Sequence, residues 1–229
     1  MIITEGHFEN LDLLKGGYDL RIKKGILYKK VSYEFIDRIK FLYKNKKNPI
    51  FKNFVLPDSL IYSIDSLSLF GYTMPYYNEY KTLYESSFLS YNYEERITIC
   101  KKIIDSLKSI SKIGCLYDDI HPGNFMCIKD DLKIIDVESI MLENEECNNY
   151  DKLLKEKERV LYLVFSYLLD IDYNSLYKEE LRYLPISKEF QNYINACTNG
   201  SSSIISTYPD EYIDELDEEK IKVIRRIIK

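Results

Sequence analysis

Near Tyr77 the spacing of apolar residues changes from strand-like to helix-like, which restricts the chain to folds in which a β-rich part precedes a helical one. Upstream, "YDLRIKKGILYKKV" holds two short β-prone runs around Lys-Lys-Gly, the composition of a hairpin. One helix interrupts this part: "YEFIDRIKFLYK" carries Phe35, Ile36, Ile39 and Leu42 at helical spacing and stops at "NKKNP". "NFVLPDSLIYS" and "LSLFGYTMPYY" read as further strands, punctuated by Pro57 and Pro75. Downstream, "NYEERITICKKIIDSLKSISKIG" aligns Ile97, Cys100, Ile104 and Leu107 on one helical stripe and halts at Gly114. "NFMCIKDDLKIID" reads as a hairpin turning at Asp130-Asp131, and "KEKERVLYLVFSYLLDID" as a buried helix. The expected class is α+β, divided into residues 1–77 and 78–229.

Composition removes several functions. At 229 residues, 45% hydrophobic and 30% charged, the chain has material for a core without staples. A net charge of −5 argues against general binding to nucleic acid or anionic membranes. Cysteines at 100, 115, 127, 147 and 197 form no CxxC pair, and the histidines are His7 and His121, so a zinc site is not expected and the thiols are read as reduced. "MIITEGHFEN" lacks the pattern of a signal peptide, and no run is long and apolar enough for a membrane helix, so a cytoplasmic location is expected.

Between the long helix and the hairpin lies "YDDIHPGNF", Tyr117 to Phe125. Pro and Gly alone make it a turn. Its neighbours make it a candidate site. Asn124 follows Asp119 by five positions, and Asp136 follows Asn124 by twelve, at the far end of the hairpin. A hairpin with equal arms would bring Asn124 and Asp136 together, and carboxylate and amide oxygens suit Mg²⁺ that also binds phosphates.

In these residues the sequence resembles the protein-kinase-like superfamily, whose catalytic loop carries Asp, a short spacer and Asn, followed by a metal-binding Asp after the next strand pair. "DIHPGN" with "IID" is most similar to bacterial protein-kinase-domain proteins and to the aminoglycoside and choline phosphotransferases. The resemblance implies a two-lobed fold with a small β-rich N-lobe and a mainly helical C-lobe, ATP and Mg²⁺ as cofactors, and transfer of the γ-phosphoryl group to a hydroxyl of an unidentified protein or small molecule. It implies Asp119 as the group that orients the acceptor and takes its proton, with Asp118 the alternative on proximity. Asn124 and Asp136 would hold Mg²⁺, and His121 would touch phosphate or brace the loop.

In the first half, "ILYKKV" resembles the strand whose lysine meets the phosphates: Lys29, on one face with Leu27 and Val31, with Lys30 as runner-up. The acidic partner of that lysine would be Asp37 or Glu34 on the following helix. "GYTMPYY" resembles the adenine-binding segment, with Met74 gating the pocket and the Pro75 carbonyl and Tyr77 N–H at the adenine edge.

The sequence also departs from the family. Tyr117-Asp118 precedes the candidate base where His-Arg or His-Gly is usual, and "VES" follows Asp136 in place of Phe-Gly. No G-x-G-x-x-G exists, leaving Gly16-Gly17 as the pair able to form a shortened phosphate-covering turn. The run from Asp136 to the buried helix is short, lacks Ala-Pro-Glu and offers Ser139 as its nearest hydroxyl. A catalytically inactive, nucleotide-binding scaffold and a small-molecule kinase are therefore the alternatives to a protein Ser/Thr kinase.

Overall fold

A computed structural model describes residues 2–3, 5–14, 20–64, 66–86, 91–142, 150–170, 184–201 and 208–228. Gly16-Gly17 and Cys147 lie outside the described residues, as does the side chain of His7. The chain is α+β, 50% helical and 21% strand, and separates into two compact units. Residues 1–80 and 135–138 form the first, and 81–134 and 139–229 the second.

The first unit is built on one sheet. Its strands are β1 (Ile2–Ile3), β2 (Asp12–Leu13), β3 (Leu20–Lys23), β4 (Ile26–Lys30), β5 (Ser59–Ser63) and β6 (Leu69–Pro75), in the order β1-β5-β6-β4-β3-β2. Pairing is antiparallel except between β1 and β5. The β3–β4 hairpin turns at Lys24-Gly25, both at positive φ (51° and 74°), which matches the strand twist and which glycine adopts without cost. On β4, Leu27 opposes Met74, Lys29 opposes Tyr72 and Lys30 opposes Gly71. A Cβ on Gly71 would sit 2.4 Å from the Lys29 carbonyl oxygen, so glycine permits the close approach of these two strands.

This unit also holds the α-helices α1 (Glu5–Glu9) and α2 (Ile36–Lys44). Ile39 and Leu42 form the buried stripe of α2, as their spacing predicts. The run read as a strand from Asn53 becomes one only at Ser59. Phe54 to Pro57 is instead a buried loop, because Pro57 has no N–H to donate to a ladder and Phe54 is drawn into an edge-to-face aromatic group with Phe51 and, through it, Phe41.

The second unit begins with β7 (Lys81–Thr82) and α3 (Leu83–Ser86) and is organised by α4 (Tyr93–Ser111). Asn92 and Glu95 close the N-terminus of α4 as a reciprocal capping box, and Gly114, at φ +73°, turns the chain after its end. The expected stripe Ile97, Cys100, Ile104 and Leu107 is buried, together with Ile99, Ile103 and Ile110. Next come β8 (Leu116–Tyr117), β9 (Phe125–Ile128), β10 (Asp131–Ile134) and β11 (Ile140–Met141). β9 and β10 are the expected hairpin, running from Ile128 opposite Asp131 to Phe125 opposite Ile134. The turn is Lys129-Asp130, one residue before the predicted position, with Lys129 at φ +53°. Helix α5 (Tyr150–Leu169) is buried without interruption from Leu163 to Leu169. Against it pack α6 (Lys188–Asn199), closed by Ser187 and by Gly200 in the left-handed region, and α8 (Glu218–Ile228), which follows the short α7 (Asp210–Ile213). No described helix is long and apolar enough to cross a membrane.

Candidate functional site

Strand alternation sends Lys29 and Lys30 to opposite faces of β4. The Lys30 ammonium bonds Glu9 at 2.6 Å and lies over the rings of Phe8 and Phe70, at 5.3 and 5.4 Å. Lys29 meets a different group: its Nζ lies 2.7 Å from Asp136 Oδ1 and 2.7 Å from Glu138 Oε2. Asp136 itself sits at φ +55°, a left-handed conformation that Asp tolerates better than most residues, and a 3₁₀ turn from Val137 to Ser139 follows. Arg38 on α2 donates from Nη1 to the Glu138 carbonyl at 3.0 Å, which fixes this turn in place.

The acidic partner of Lys29 is therefore not on the helix. Asp37 is 89% exposed at its side chain and pairs with Lys40 at 3.9 Å, and Glu34 is also exposed. The reason is the helix period: with Ile39 and Leu42 turned inward, position 37 faces solvent. Glu138 takes that place and went unread in the sequence. Its one visible signal is an acid two positions after Asp136, in "DVES".

Charge in this group is finely divided. Burial works against the Lys29 ammonium, but the Glu138 and Asp136 carboxylates outweigh it and raise its pKa above the ordinary lysine value. Burial raises the Glu138 pKa, with Lys29 opposing. Two carboxylates share one ammonium, and Glu138 Oε1 is buried without a hydrogen-bond partner among the described residues. Carboxylate oxygens of this kind suit a divalent cation such as Mg²⁺. Among the described residues, no group of three or more His, Cys, Asp and Glu side chains is assembled to hold a metal.

The candidate adenine segment ends β6. Met74 is buried opposite Leu27, Pro75 is exposed opposite Ile26, and Tyr77 packs edge-on to Tyr80 with ring centroids 5.1 Å apart. Pro75 and Tyr77 also line an open hollow of about 330 Å³ with the buried loop Phe54–Pro57.

In the second unit, β8 delivers the loop that begins at Asp118. The Asp118 N–H donates to the Ser139 carbonyl at 3.0 Å, continuing the β8–β11 pairing. Arg159 on α5 donates to the Asp118 carbonyl and approaches its Oδ1 at 3.5 Å. One turn earlier on the same helix, Glu156 accepts from the Tyr117 backbone N–H. Neither Arg159 nor Glu156 has a local signature, because their partners lie about forty positions away (159 − 118 = 41).

Asp119 is held from the other side. Asn124 Nδ2 donates to the Asp119 carbonyl at 3.0 Å and to Oδ2 at 2.8 Å, so the amide nitrogen is spent on the loop and the Oδ1 acceptor is not. His121 Nδ1 accepts from the Gly123 N–H at 3.1 Å. That bond leaves the proton on Nε2, which lies 3.5 Å from Asp119 Oδ2. A Cβ on Gly123 would come within 2.8 Å of the His121 ring, so glycine keeps the imidazole in position. Pro122 fixes the first position of the 3₁₀ turn that ends at Asn124. The structure thus unites Asp119, His121 and Asn124 in the second unit, and Lys29 and Asp136 in the first. No protein-family model matches the chain, and no curated protein matches it at a significant level.

Proposed function

We propose that the chain is an ATP-dependent phosphotransferase of the protein-kinase-like class, with residues 1–77 as nucleotide-clamping N-lobe and 78–229 as catalytic C-lobe. The observation that carries this reading is the 2.7 Å ion pair between Lys29 and Asp136. Sequence resemblance singles out these two residues for separate reasons, one for phosphate and one for metal, and they are bonded across 107 positions.

In this reading Lys29 would meet the α- and β-phosphates, and Asn124 and Asp136 would hold Mg²⁺. Bound Mg²⁺ neutralises phosphate charge. The acceptor hydroxyl gives its proton to the Asp119 carboxylate as its oxygen bonds the γ-phosphorus and the bond to ADP breaks. Met74 backs the adenine, whose edge meets the Pro75 carbonyl and the Tyr77 N–H. Of the two roles open to His121, the bond from Gly123 N–H favours bracing the loop. The acceptor is a protein Ser or Thr, with a small-molecule alcohol as the alternative.

The test measures γ-phosphate turnover and the rise in melting temperature with ATP and Mg²⁺. Asp119→Ala abolishes turnover and keeps the thermal shift. A variant as fast as the native protein overturns the assignment. The absence of G-x-G-x-x-G and the "VES" after Asp136 support a second reading, a nucleotide-binding scaffold. A thermal shift without turnover by the native chain identifies it.

A further inference from the structure

A cleft of about 440 Å³ opens on the first unit between the start of α2 and the turn from β5 to β6. Tyr33, Glu34 and Asp37 line one side, and Tyr62, Leu67 and Leu69 the other. Its apolar rim faces water: Tyr33 is 91% exposed and Leu67 72%, with Ile64 exposed in the same turn. Leu67 also sits at φ +52°, held there by its N–H on the Ser63 carbonyl. A leucine kept in the left-handed region and displayed to solvent gains nothing locally, which marks a surface shaped for contact. The cleft is acidic, since Glu34 and Asp37 face only Lys40 among the charged residues lining it.

Helix α8 carries the complementary face. Ile221 and Ile224 point into the second unit, and Arg225 bonds the carbonyls of Leu168 and Leu169, at 3.1 and 2.7 Å, which fixes the helix's rotation. What remains outward is Val223 and Ile227, one turn apart and 44% and 54% exposed, beside exposed Arg226. An apolar stripe flanked by a cation on one surface and an apolar cleft flanked by acids on another are matched in charge and chemistry.

We infer that α8 of a second copy of this chain docks in the cleft, Val223 and Ile227 against Tyr33 and Leu67, and Arg226 facing Glu34 and Asp37. One such contact is small for a stable interface, but a two-fold axis makes it twice and closes the assembly, so that neither face is left to recruit further copies.

Sedimentation velocity of the full chain over a range of concentrations tests this. The native protein dimerises. Leu67→Glu and Ile227→Glu each raise the dissociation constant at least tenfold. Mixing these two variants gives pairs with one intact contact, from the helix of the first to the cleft of the second, which associate more tightly than either variant alone and more weakly than the native protein. Asp37→Arg combined with Arg226→Asp recovers what either change alone weakens. Both positions are exposed, and matching melting curves show that the variants fold. A monomer at every concentration overturns the inference. So does a dimer indifferent to Ile227→Glu, or a mixture that associates no more tightly than either variant alone.

Discussion

The Lys29 ammonium is bonded at 2.7 Å to the Asp136 carboxylate, although the two residues come from opposite ends of the chain's strand-forming part. The second unit's hairpin ends at Ile134, and residues 135–138 return to the first unit. Lys29 is what they return to. Lys29→Met takes the ammonium away from two carboxylates, one of them buried. We expect a loss of about 2 to 3 kcal/mol in chemical denaturation, less than for a fully buried pair because the group is partly exposed. Lys30→Met, removing an exposed bond to Glu9, changes stability little. In the phosphotransferase reading, Lys29→Met also loses the thermal shift with ATP, and Lys30→Met keeps it.

Asn124 holds Asp119 through two bonds from one nitrogen. Asn124→Ala removes the donor and costs about 1 kcal/mol. Asn124→Asp removes it and sets a carboxylate against the Asp119 carboxylate, costing about 2 kcal/mol. Added salt screens that repulsion, so denaturation curves of the two variants converge at high ionic strength.

A buried ion pair behind this loop predicts a different pattern. Glu156 and Lys157 are adjacent on α5, and both are almost fully buried. Lys157 Nζ lies 3.3 Å from Glu156 Oε2 and 3.1 Å from the centre of the Tyr208 ring. Burial raises the pKa of Glu156 and lowers that of Lys157, so solvation opposes both charges and their mutual attraction recovers only part. Lys157→Met alone strands the carboxylate and costs about 3 kcal/mol. Glu156→Gln with Lys157→Met keeps an oxygen for the Tyr117 N–H and the Tyr208 hydroxyl while removing both charges. That double variant matches or exceeds the native stability in urea.

Which parts of this were legible in the sequence follows from distance along the chain. The stripe of α4 and the β9–β10 hairpin are local patterns, set by periods of a few residues. That Lys29 and Lys30 face opposite ways was legible, because alternation along β4 separates them. Glu138 was not, since its pairing depends on where a turn after β10 meets a strand a hundred positions earlier (138 − 29 = 109). Asp37 was misread for the converse reason: its sequence position suited a partner, but the buried face of α2 turned it outward. The strands β7, β8 and β11 are two residues long, too short for alternation to show. The loop Phe54–Pro57 is as apolar as a strand, and its proline and aromatic packing distinguish it.

Tyrosine burial sets the alkaline limit. The chain has 22 tyrosines. Burial raises the pKa of Tyr72, Tyr193 and Tyr208 well above the ordinary value of 10.0, Tyr72 further under the nearby Glu138 and Asp136 charges. Partly buried Tyr91 is pushed up to about 12. A phenol is neutral when protonated. Below pH 10 folded and unfolded chains hold these protons equally, and stability does not depend on them. Above pH 10 the unfolded chain releases protons that the folded chain keeps, so stability falls as pH rises. Three such groups give a slope of about 4 kcal/mol per pH unit. Lysine adds to it in the same direction above 10.5, because the Lys29 pKa is also raised. Ultraviolet titration of the native protein should show exposed tyrosines ionising smoothly, with the buried ones ionising only together with loss of circular dichroism. Tyr193→Phe removes one group without touching Lys29 and makes the slope shallower by about 1.4 kcal/mol per pH unit. A smooth titration of all the tyrosines in the folded state would contradict this burial.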